Sequence, residues 1–400
     1  MALLPVADAL AQVLADIGPP DEEVVPLEDA CGRVLTRDLA ARLTQPPFAA
    51  SAMDGYAVHG DGAAAIGTQW TVIGESAAGR GFQGAVAPGQ AVRIFTGAPV
   101  PAGAGTVVIQ ENVSRAGERI TAIDATAAGA NIRAAGVDFT AGDVLLGRGR
   151  RLDAHTVTLA AAMGYGDVTV ARRPVVAILA TGDELVPPGV RPGPDQIVSS
   201  NPLGLAALVA QAGGVAKPLG IAPDRLDELA ARIGEARGAD ILITIGGASV
   251  GDHDLVGAAL KAQGLDLAFW KIALRPGKPL MFGRLGAMRV LGLPGNPVSA
   301  LVTGRVFLVP LIKALLGAPA EARVTETATL TAALEANGPR LHLMRATLGR
   351  DTAGALTVTP LASQDSSLLS ALAKADGLIW RAPDTPALDA GASVEIERLD

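Results

Sequence analysis

The pattern with the clearest chemical meaning is a glycine-rich loop inside DILITIGGASVGDHD, residues 240–254. An apolar strand runs into Gly246, Gly247 and Gly251, and a helix is predicted to follow. Glycines let backbone amides approach an anion, and helix N-termini and the carboxyl ends of parallel strands both attract phosphate groups. The loop therefore predicts a phosphate site, with a plain tight turn as the alternative. It lacks the GxxxxGKS/T pattern, which disfavours a P-loop nucleotidase.

Three cations fall within eight residues of a chain whose formal net charge is −7: Lys271, Arg275 and Lys278, in KIALRPGKP. Downstream, Pro294 and Pro297 bracket a turn in GLPGNPVSA that should deliver free amides at the start of a helix. Together, the cations and the turn predict a pocket for a tetrahedral oxyanion. Solvated surface charges are the alternative interpretation.

Carboxylates occur where they could accompany these sites. Asp54 follows a polyproline-like segment in PPFAASAMDGYAV and precedes Gly55. Asp183 and Glu184 end the buried strand of ATGDELV, on the same predicted edge as the glycine loop. Carboxylates at that edge can hold Mg²⁺ beside phosphate groups. The alternatives are a turn aspartate for the first residue and an N-cap and turn pair for the other two.

The elements that must position these residues change in character along the chain. From residue 174 onward, apolar strands alternate with helices, which is typical of a doubly wound parallel sheet. The preceding stretch has many glycines and short Val, Ile and Thr runs, and the tail alternates polar and apolar residues, so both predict β structure. The predicted fold is multidomain α/β plus β, with 1–44 and 137–173 as an elongated N-terminal linker domain, 45–136 as a β-rich domain, 174–322 as the α/β domain and 323–400 as a C-terminal β domain.

One predicted helix is long and apolar. Asn296 and Pro297 should be its N-cap and first position, and Pro310 should kink it. Because charges and Pro310 interrupt the apolar stretch 297–318, it should not reach membrane-spanning length. The N-terminus lacks the basic start of a signal peptide, so we expect a soluble, cytoplasmic protein.

The composition excludes several function classes. The net charge disfavours general binding to nucleic acid or acidic membranes. Seven Phe, three Trp and two Tyr are too few for base-stacking platforms. A single cysteine, Cys31, excludes an internal disulfide and a CxxC pair, and we expect it to be buried.

The motifs taken together resemble the bacterial molybdopterin molybdenumtransferase family, commonly called MoeA, which is related to the E domain of gephyrin and its plant homologue. The resemblance spans nearly the whole chain. The motifs that carry it, in family order, are PPFAASAMDGYAV, RIFTGAPVP, GVDFTAGDVLLGRGRRL, LATGDELV, SNPLGLAALV, TIGGASVGDHD, FWKIALRPGKPLMFG and GLPGNPVSA.

The resemblance implies a transferase that inserts molybdate, its substrate, into adenylylated molybdopterin with release of AMP, using Mg²⁺. It implies a three-layer, pterin-binding α/β domain, a β-rich second domain and a C-terminal β-barrel-like domain. It further implies an elongated homodimer in which the second domain of one subunit completes the cleft of the other. Transient contact with the molybdopterin adenylyltransferase and with molybdoenzyme maturation proteins is also expected.

The resemblance assigns roles to particular positions. The family positions important for activity correspond to Asp54, Thr96, Asp138, Glu184 and Asp254. The phosphate groups of the pterin and AMP are expected to contact Gly246, Gly247, Ser249, Gly251, Asp224 and Asp240. Molybdate is expected to contact Lys271, Arg275, Lys278, Pro294, Pro297, Arg345 and Ser366. Mg²⁺ is expected at Glu184 and Asp224.

Two features of the sequence depart from the family pattern. Asp252-His253 replaces a pair that often contains Glu or Tyr in relatives, and Arg275 stands where some members have Lys. Arg keeps the charge but offers a planar donor fork, so details of oxyanion binding could differ.

Two other functions compete with molybdate insertion. One is a molybdopterin adenylyltransferase, a family that consists essentially of the central domain alone, and the other is a gephyrin-like scaffold. A scaffold would not need clustered cations and carboxylates.

Overall fold

The computed structural model describes residues 3–60, 62–246, 255–319 and 324–399. The chain forms two compact units. The first, termed the α/β unit, contains Met1–Glu23, Gly32–Thr36 and Val170–Asp400. The second, termed the β unit, contains Val24–Cys31 and Arg37–Thr169. The finer division into four regions stays a prediction.

Short helices and strands follow one another through the described residues. In chain order, the helices are α1 (Val6–Leu14), α2 (Ala154–Ala162), α3 (Asn201–Ala212), α4 (Leu226–Glu235), α5 (Leu255–Ala262), α6 (Pro297–Thr303), α7 (Val309–Leu315) and α8 (Leu369–Lys374). The strands are β1 (Glu22–Pro26), β2 (Leu39–Ala40), β3 (Ala50–Ser51), β4 (Gly55–His59), β5 (Gln69–Ser76), β6 (Gln90–Ile94), β7 (Ala104–Ile109), β8 (Val113–Ala116), β9 (Arg119–Ala122), β10 (Ile132–Arg133), β11 (Val144–Leu146), β12 (Asp167–Ala171), β13 (Val175–Thr181), β14 (Leu185–Val186), β15 (Ile197–Val198), β16 (Val215–Ala222), β17 (Ile241–Ile245), β18 (Asp266–Trp270), β19 (Leu274–Arg275), β20 (Met281–Leu285), β21 (Met288–Leu293), β22 (Glu326–Leu330), β23 (Leu341–Arg350), β24 (Leu356–Pro360), β25 (Gly377–Arg381) and β26 (Ser393–Arg398).

The α/β unit is built on a six-stranded sheet in the order β16, β13, β17, β21, β20, β18. The first four strands are parallel, and β20 and β18 run antiparallel to their neighbours. Alternate residues of β17 face opposite layers, as the strand period of two requires: Ile243 packs with α1, α3, α6 and α7, whereas Leu242 packs with α4 and α5. The predicted three-layer α/β architecture is confirmed.

A closed barrel forms the C-terminal part of the same unit. Its strands follow the order β23, β24, β22, β26, β25, and β25 pairs again with β23 to close the ring. The short strand β19 joins β23 in parallel on the outside of this five-strand ring. The inward side chains Val358, Ile379 and Ile396 are buried. The predicted C-terminal β-barrel is therefore confirmed.

The β unit contains a six-stranded sheet in the order β7, β4, β6, β5, β9, β8, with a core that includes Trp70 and Val108. Helix α2 begins at an aspartate cap, where Asp153 and Thr156 form a reciprocal capping box. Cys31 is exposed, so the expectation of a buried cysteine was wrong. A surface position is compatible with its place in a turn directly after a 3₁₀ helix.

The long apolar helix is a core element of the α/β unit. Residues 297–315 run without a break through α6, a π-helical turn at Gly304–Leu308 and α7, so the expected early interruption was wrong. Its Arg305 is accommodated because Nε donates to Glu397 at 2.6 Å. The helix is apolar enough to cross a membrane, with a mean hydropathy of 1.7, yet 56% of it is buried inside the protein. Burial explains its composition without a membrane.

Helix α1 belongs to the same core, although the sequence assigned it to a linker domain. Ala9 and Val13 are fully buried. The C-terminal end of α1 is held because Arg289 donates to the carbonyls of Ala15 and Asp16 at 3.1 and 3.0 Å. Cationic side chains at the last carbonyls of a helix are stabilising.

We expect Val13→Ala to lower the free energy of unfolding of the α/β unit by about 2 kcal/mol, because two methyl groups leave a filled core. The measurement is the urea midpoint. The matched control is Val190→Ala, since Val190 is 50% exposed. Equal midpoints for the two variants would show that α1 does not contribute to this core.

Candidate active site

A cavity of about 1050 Å³ opens in the α/β unit at the carboxyl ends of β13 and β17. Its walls include the ends of β13, β16 and β17, the start of α3, the cationic turn after β19, the start of α6 and a loop of the barrel at residues 364–367. The residues with chemically useful side chains or backbone that line it are Thr181, Glu184, Ser199, Ser200, Asn201, Asp224, Gly246, Arg275, Lys278, Asn296, Ser299, Arg340, Gln364, Asp365, Ser366 and Ser367.

The cationic turn closes on itself through its backbone. Lys271 N donates to the Leu280 carbonyl at 2.9 Å, and Ile272 N donates to the Lys278 carbonyl at 3.0 Å. Gly277 has φ +111, and a Cβ there would overlap the Thr303 side chain. The chain therefore needs glycine at this point. The turn brings the exposed side chains of Arg275 and Lys278 to the cavity.

The start of α6 is hydrogen-bonded to the barrel loop at the wall of the cavity. Asn296 Nδ2 donates to Ser366 Oγ at 2.8 Å, and Val298 N donates to the Ser366 carbonyl at 3.1 Å. On the other side of the same turn, Asn201 Nδ2 donates to the Gly295 carbonyl at 2.7 Å. Pro294 and Pro297 line the cavity beside these bonds. The turn is thus held from both sides.

A buried guanidinium lies next to that barrel loop. Arg345 is fully buried and donates from Nη2 to the Ser363 carbonyl at 3.3 Å, while its Nε and Nη1 have no partner among the described residues. Its backbone is clamped by Gln364, which accepts from Arg345 N at 2.9 Å and donates to the Arg345 carbonyl at 3.0 Å. Burial lowers the pKa of Arg345. An arginine with free, desolvated donors is suited to attract an anion.

Two carboxylates that follow the ends of β13 and β16 form the carboxylate wall of the cavity. Glu184 and Asp224 line the cavity, and Asp183 Oδ1 accepts from Asp224 N at 3.1 Å. Partial burial, followed by the nearby charges of Asp183 and Glu184, raises the pKa of Asp224. Gly182 leaves room for the Glu184 carboxylate, which a Cβ at that position would overlap. Like charges held this closely favour a cation between them.

A second carboxylate site lies in the β unit. Asp54 Oδ1 accepts from Thr96 N at 2.7 Å and from Thr96 Oγ1 at 2.8 Å. These two bonds, the backbone bond first, lower the pKa of Asp54, and Arg93 adds to the effect. The Arg93 guanidinium donates to the Gly55 carbonyl at 3.1 Å and lies over the rings of Tyr56 and Phe95. Arg93 therefore braces the strands that carry the pair.

Among the residues expected from the sequence, the cavity brings together Glu184, Asp224, Gly246, Arg275, Lys278, Pro294, Pro297 and Ser366. Lys271 and Arg345 do not line it, although Arg345 is bonded to its loop. Asp54, Thr96 and the exposed Asp138 belong to the β unit. Outside the described residues lie Gly247, Ser249, Gly251 and Asp254.

Asp240 does not support its expected role in phosphate binding. It lies at the amino end of β17, accepts from Arg172 at 2.8 and 3.1 Å and from Val175 N at 2.6 Å, and does not line the cavity. Gly246 follows the opposite end of the same strand. The Arg172 pair accounts for Asp240 as a structural anchor.

Several polar residues that line the cavity were not expected from the sequence, among them Arg340, Gln364 and, as a contact to Ser366, Asn296. Arg340 Nη1 donates to the Leu274 carbonyl at 3.5 Å, next to Arg275. The dipeptide Pro339-Arg340 before an apolar strand is the only local signal, and it does not indicate a site.

Three models of protein families match successive stretches of the chain. Residues 4–164 match the MoeA N-terminal region (domain I and II), residues 177–314 match a probable molybdopterin binding domain, and residues 327–399 match the MoeA C-terminal region (domain IV).

Two curated relatives and a solved structure resemble the chain over almost its full length. Molybdopterin molybdenumtransferase 2 of Mycobacterium tuberculosis is 35% identical, covering 93% of this chain and 94% of its own. The molybdopterin molybdenumtransferase of Bacillus subtilis is 33% identical, covering 98% and 93%. The crystal structure of the molybdopterin biosynthesis MoeA protein from Pyrococcus horikoshii superposes with a TM-score of 0.83 at 29% identity and covers 100% of both chains.

The pH dependence of stability should report on His342, which lies in the barrel among the site cations. Burial first, and then the charges of Arg275 and Arg345, lower the pKa of His342 to about 4. Between pH 6.5 and 4, His342 binds a proton in the unfolded chain but not in the folded chain. The free energy of unfolding is therefore highest above pH 6.5 and decreases as the pH falls.

Between pH 7 and pH 4.5, the free energy of unfolding of the wild type should fall by roughly 2 kcal/mol more than that of His342→Gln, because glutamine does not titrate. Urea midpoints across this range provide the measurement. His155→Gln, at an exposed position of the β unit, is the control and should follow the wild type. An equally steep fall in His342→Gln would contradict the assignment.

Proposed function

Because the chain belongs to the MoeA family of molybdopterin molybdenumtransferases, we propose that it inserts molybdate into adenylylated molybdopterin and releases AMP. In this reaction the two dithiolene sulfurs form bonds to molybdenum while oxide ligands leave as water, with protons from the thiols and the solvent. Water attacks the phosphoanhydride between pterin and AMP, and AMP leaves. Both changes concern dense negative charge, so a competent site must combine cations for the oxyanion with a means of neutralising phosphate.

The observation that supports this function is the composition of the cavity. Arg275, Lys278 and Arg340 line it together with the carboxylates of Glu184, Asp224 and Asp365. The cavity therefore offers both cations for an oxyanion and carboxylates for a metal ion. The cavity also lies at the carboxyl ends of parallel strands, where open α/β sheets bind ligands.

Molybdate is proposed to bind between the cationic turn and the barrel loop. Arg275 offers a planar fork of donors, Lys278 offers a flexible ammonium group, and Ser366 offers a hydroxyl. Arg345 adds buried positive charge beside the loop. These donors match a tetrahedral oxyanion, which presents acceptors in several directions.

The carboxylate wall fits Mg²⁺. Among the described residues, no group of three or more His, Cys, Asp or Glu side chains is arranged as a metal site. Mg²⁺ commonly uses only one or two carboxylates, and substrate phosphates and waters complete its shell. Glu184 and Asp224 would hold it, and the raised pKa of Asp224 is the consequence expected of crowded carboxylates that such an ion would relieve. When bound, the ion would neutralise phosphate charge.

The remaining parts of the proposal concern assembly. A homodimer would let Asp54 and Thr96 of a second subunit complete the site, and their short hydrogen bonds already hold that carboxylate ionised. We further propose a cytoplasmic location and transient contact with the molybdopterin adenylyltransferase and with molybdoenzyme maturation proteins.

Removing one cavity cation should weaken molybdate binding. For Arg275→Ala and for Lys278→Ala, we expect roughly tenfold weaker affinity, since each removes a charge-assisted hydrogen bond. Isothermal titration of the full chain with molybdate is the measurement.

Two other lysines make this test specific. Lys271→Ala should cost less affinity, because Lys271 does not line the cavity, and Lys261→Ala on α5 is the matched loss of a surface charge. If Arg275→Ala and Lys278→Ala bound molybdate no worse than Lys261→Ala, the proposed oxyanion site would be wrong.

Mg²⁺ should stabilise the protein through the carboxylate wall. We expect millimolar Mg²⁺ to raise the melting temperature of the wild type, and Asp224→Asn to remove that increase. Without Mg²⁺ at pH 7, Asp224→Asn should melt above the wild type, because the raised pKa marks an ionised group that opposes folding; the difference should shrink as the pH falls and Asp224 takes up a proton. Asp227→Asn, at an exposed position on α4, is the control. A Mg²⁺ response that survives Asp224→Asn would argue against this site.

A further inference from the structure

Asn296 occupies the N-cap of α6 without capping it. Asparagine is among the preferred residues at this position because its side-chain oxygen can accept the amide hydrogens of the first turn. In this helix the side chain makes no capping bond. Its Nδ2 instead donates to Ser366 Oγ, 70 residues away in the chain, at 2.8 Å. Helix α6 therefore does not gain the stability that an asparagine cap normally provides.

The bond determines which way the Ser366 hydroxyl can act. A hydroxyl has one hydrogen to donate and can accept others, whereas the amide nitrogen of asparagine only donates. Since Ser366 Oγ accepts from Asn296, its own hydrogen points elsewhere. No acceptor for that hydrogen is found within the described part of the chain, and Ser366 lines the cavity. The carbonyl of Ser366 is separately held by Val298 N at 3.1 Å.

From this geometry we infer that Asn296 is a positioning residue that orients the Ser366 hydroxyl as a hydrogen-bond donor to the oxyanion. The inference rests on the proposed molybdate site and adds how one of its hydrogen-bond donors, the Ser366 hydroxyl, is oriented. Asn296 acts through Ser366 and need not touch molybdate. An acceptor in place of the amide would reverse the hydroxyl, which would then present its oxygen to an anion.

Asn201 provides a matched comparison on the same turn. Its Nδ2 donates to the Gly295 carbonyl at 2.7 Å, one residue before Asn296, and it makes no bond to Ser366. Loss of either asparagine amide removes a bond that holds the turn. Only the change in molybdate affinity caused by replacing Asn296 should depend on the presence of the Ser366 hydroxyl.

The test is a double-mutant cycle read out by isothermal titration of the full chain with molybdate. We expect Ser366→Ala to weaken affinity roughly tenfold and Asn296→Ser, which keeps a good N-cap, roughly threefold to tenfold. In the presence of Ser366→Ala, Asn296→Ser should change affinity by less than about twofold. Asn201→Ala should have the same effect with or without Ser366→Ala.

A second variant keeps the test informative if Asn296→Ser folds poorly. Asn296→Asp has nearly the same shape, caps a helix well and offers only acceptors when ionised, so it should reverse the Ser366 hydroxyl while melting near the wild-type temperature. Because its charge repels molybdate whether or not Ser366 is present, the positioning role is measured by the difference: the loss of affinity should be smaller in the presence of Ser366→Ala, and an equal loss in both backgrounds would overturn it.

The outcomes separate the inference from the proposed function. If Ser366→Ala leaves molybdate affinity unchanged, the proposed oxyanion site fails and the inference fails with it. If Ser366→Ala weakens binding but Asn296→Ser does not, or does so equally in both backgrounds, the site stands and the positioning role is overturned.

Discussion

The site depends on the parallel register of β13 with its two neighbours. Ala180 lies opposite Ile245 on β17, and Thr181 lies opposite Ala222 on β16. The three strands therefore end at one edge, and the residues that follow them supply the carboxylate wall and the first glycine of the loop. A slip of one residue would exchange the faces of a strand that is buried on both sides, so the helical layers enforce the register.

The positive charge at the cavity comes from the cationic turn and the barrel. The protein is acidic, yet the turn after β19 and the neighbouring barrel strand direct cations to the cavity and bury Arg345 with two unpartnered nitrogens in the described structure. Burying such a group is costly in the absence of an anion, since a desolvated guanidinium loses its hydration without full compensation. The lowered pKa values of Arg345 and His342 share this cause. The barrel thus contributes electrostatic potential as well as a wall.

Much of the fold follows from local patterns in the sequence. Alternating apolar strands and helices predicted the three-layer α/β domain, and Gly213, with φ +97, ends α3 as glycine does at many helix ends. The positions of Asp240 and Gly246 could also have been distinguished, because a five-residue strand separates the two by roughly 17 to 20 Å. The two residues should therefore not share one phosphate site.

Other features depend on contacts that no local pattern encodes. The bond between Asn296 and Ser366 joins two loops from different parts of the chain, and the distinction between Lys271 and Lys278 depends on how one turn closes. Helix α1 is likewise buried because it packs against α7, which begins only at Val309, so no pattern near α1 in the sequence indicates this contact. Sequence resemblance supplied the residue types of the site, and the tertiary structure decides which of them share a cavity.

If this cavity inserts molybdate, the full chain incubated with adenylylated molybdopterin and Mg²⁺ should release AMP only when molybdate is added. In a parallel incubation with molybdopterin and ATP, no adenylylated molybdopterin should form. Adenylylation from ATP, or AMP release that molybdate does not promote, would show that the protein is not a molybdate-inserting enzyme.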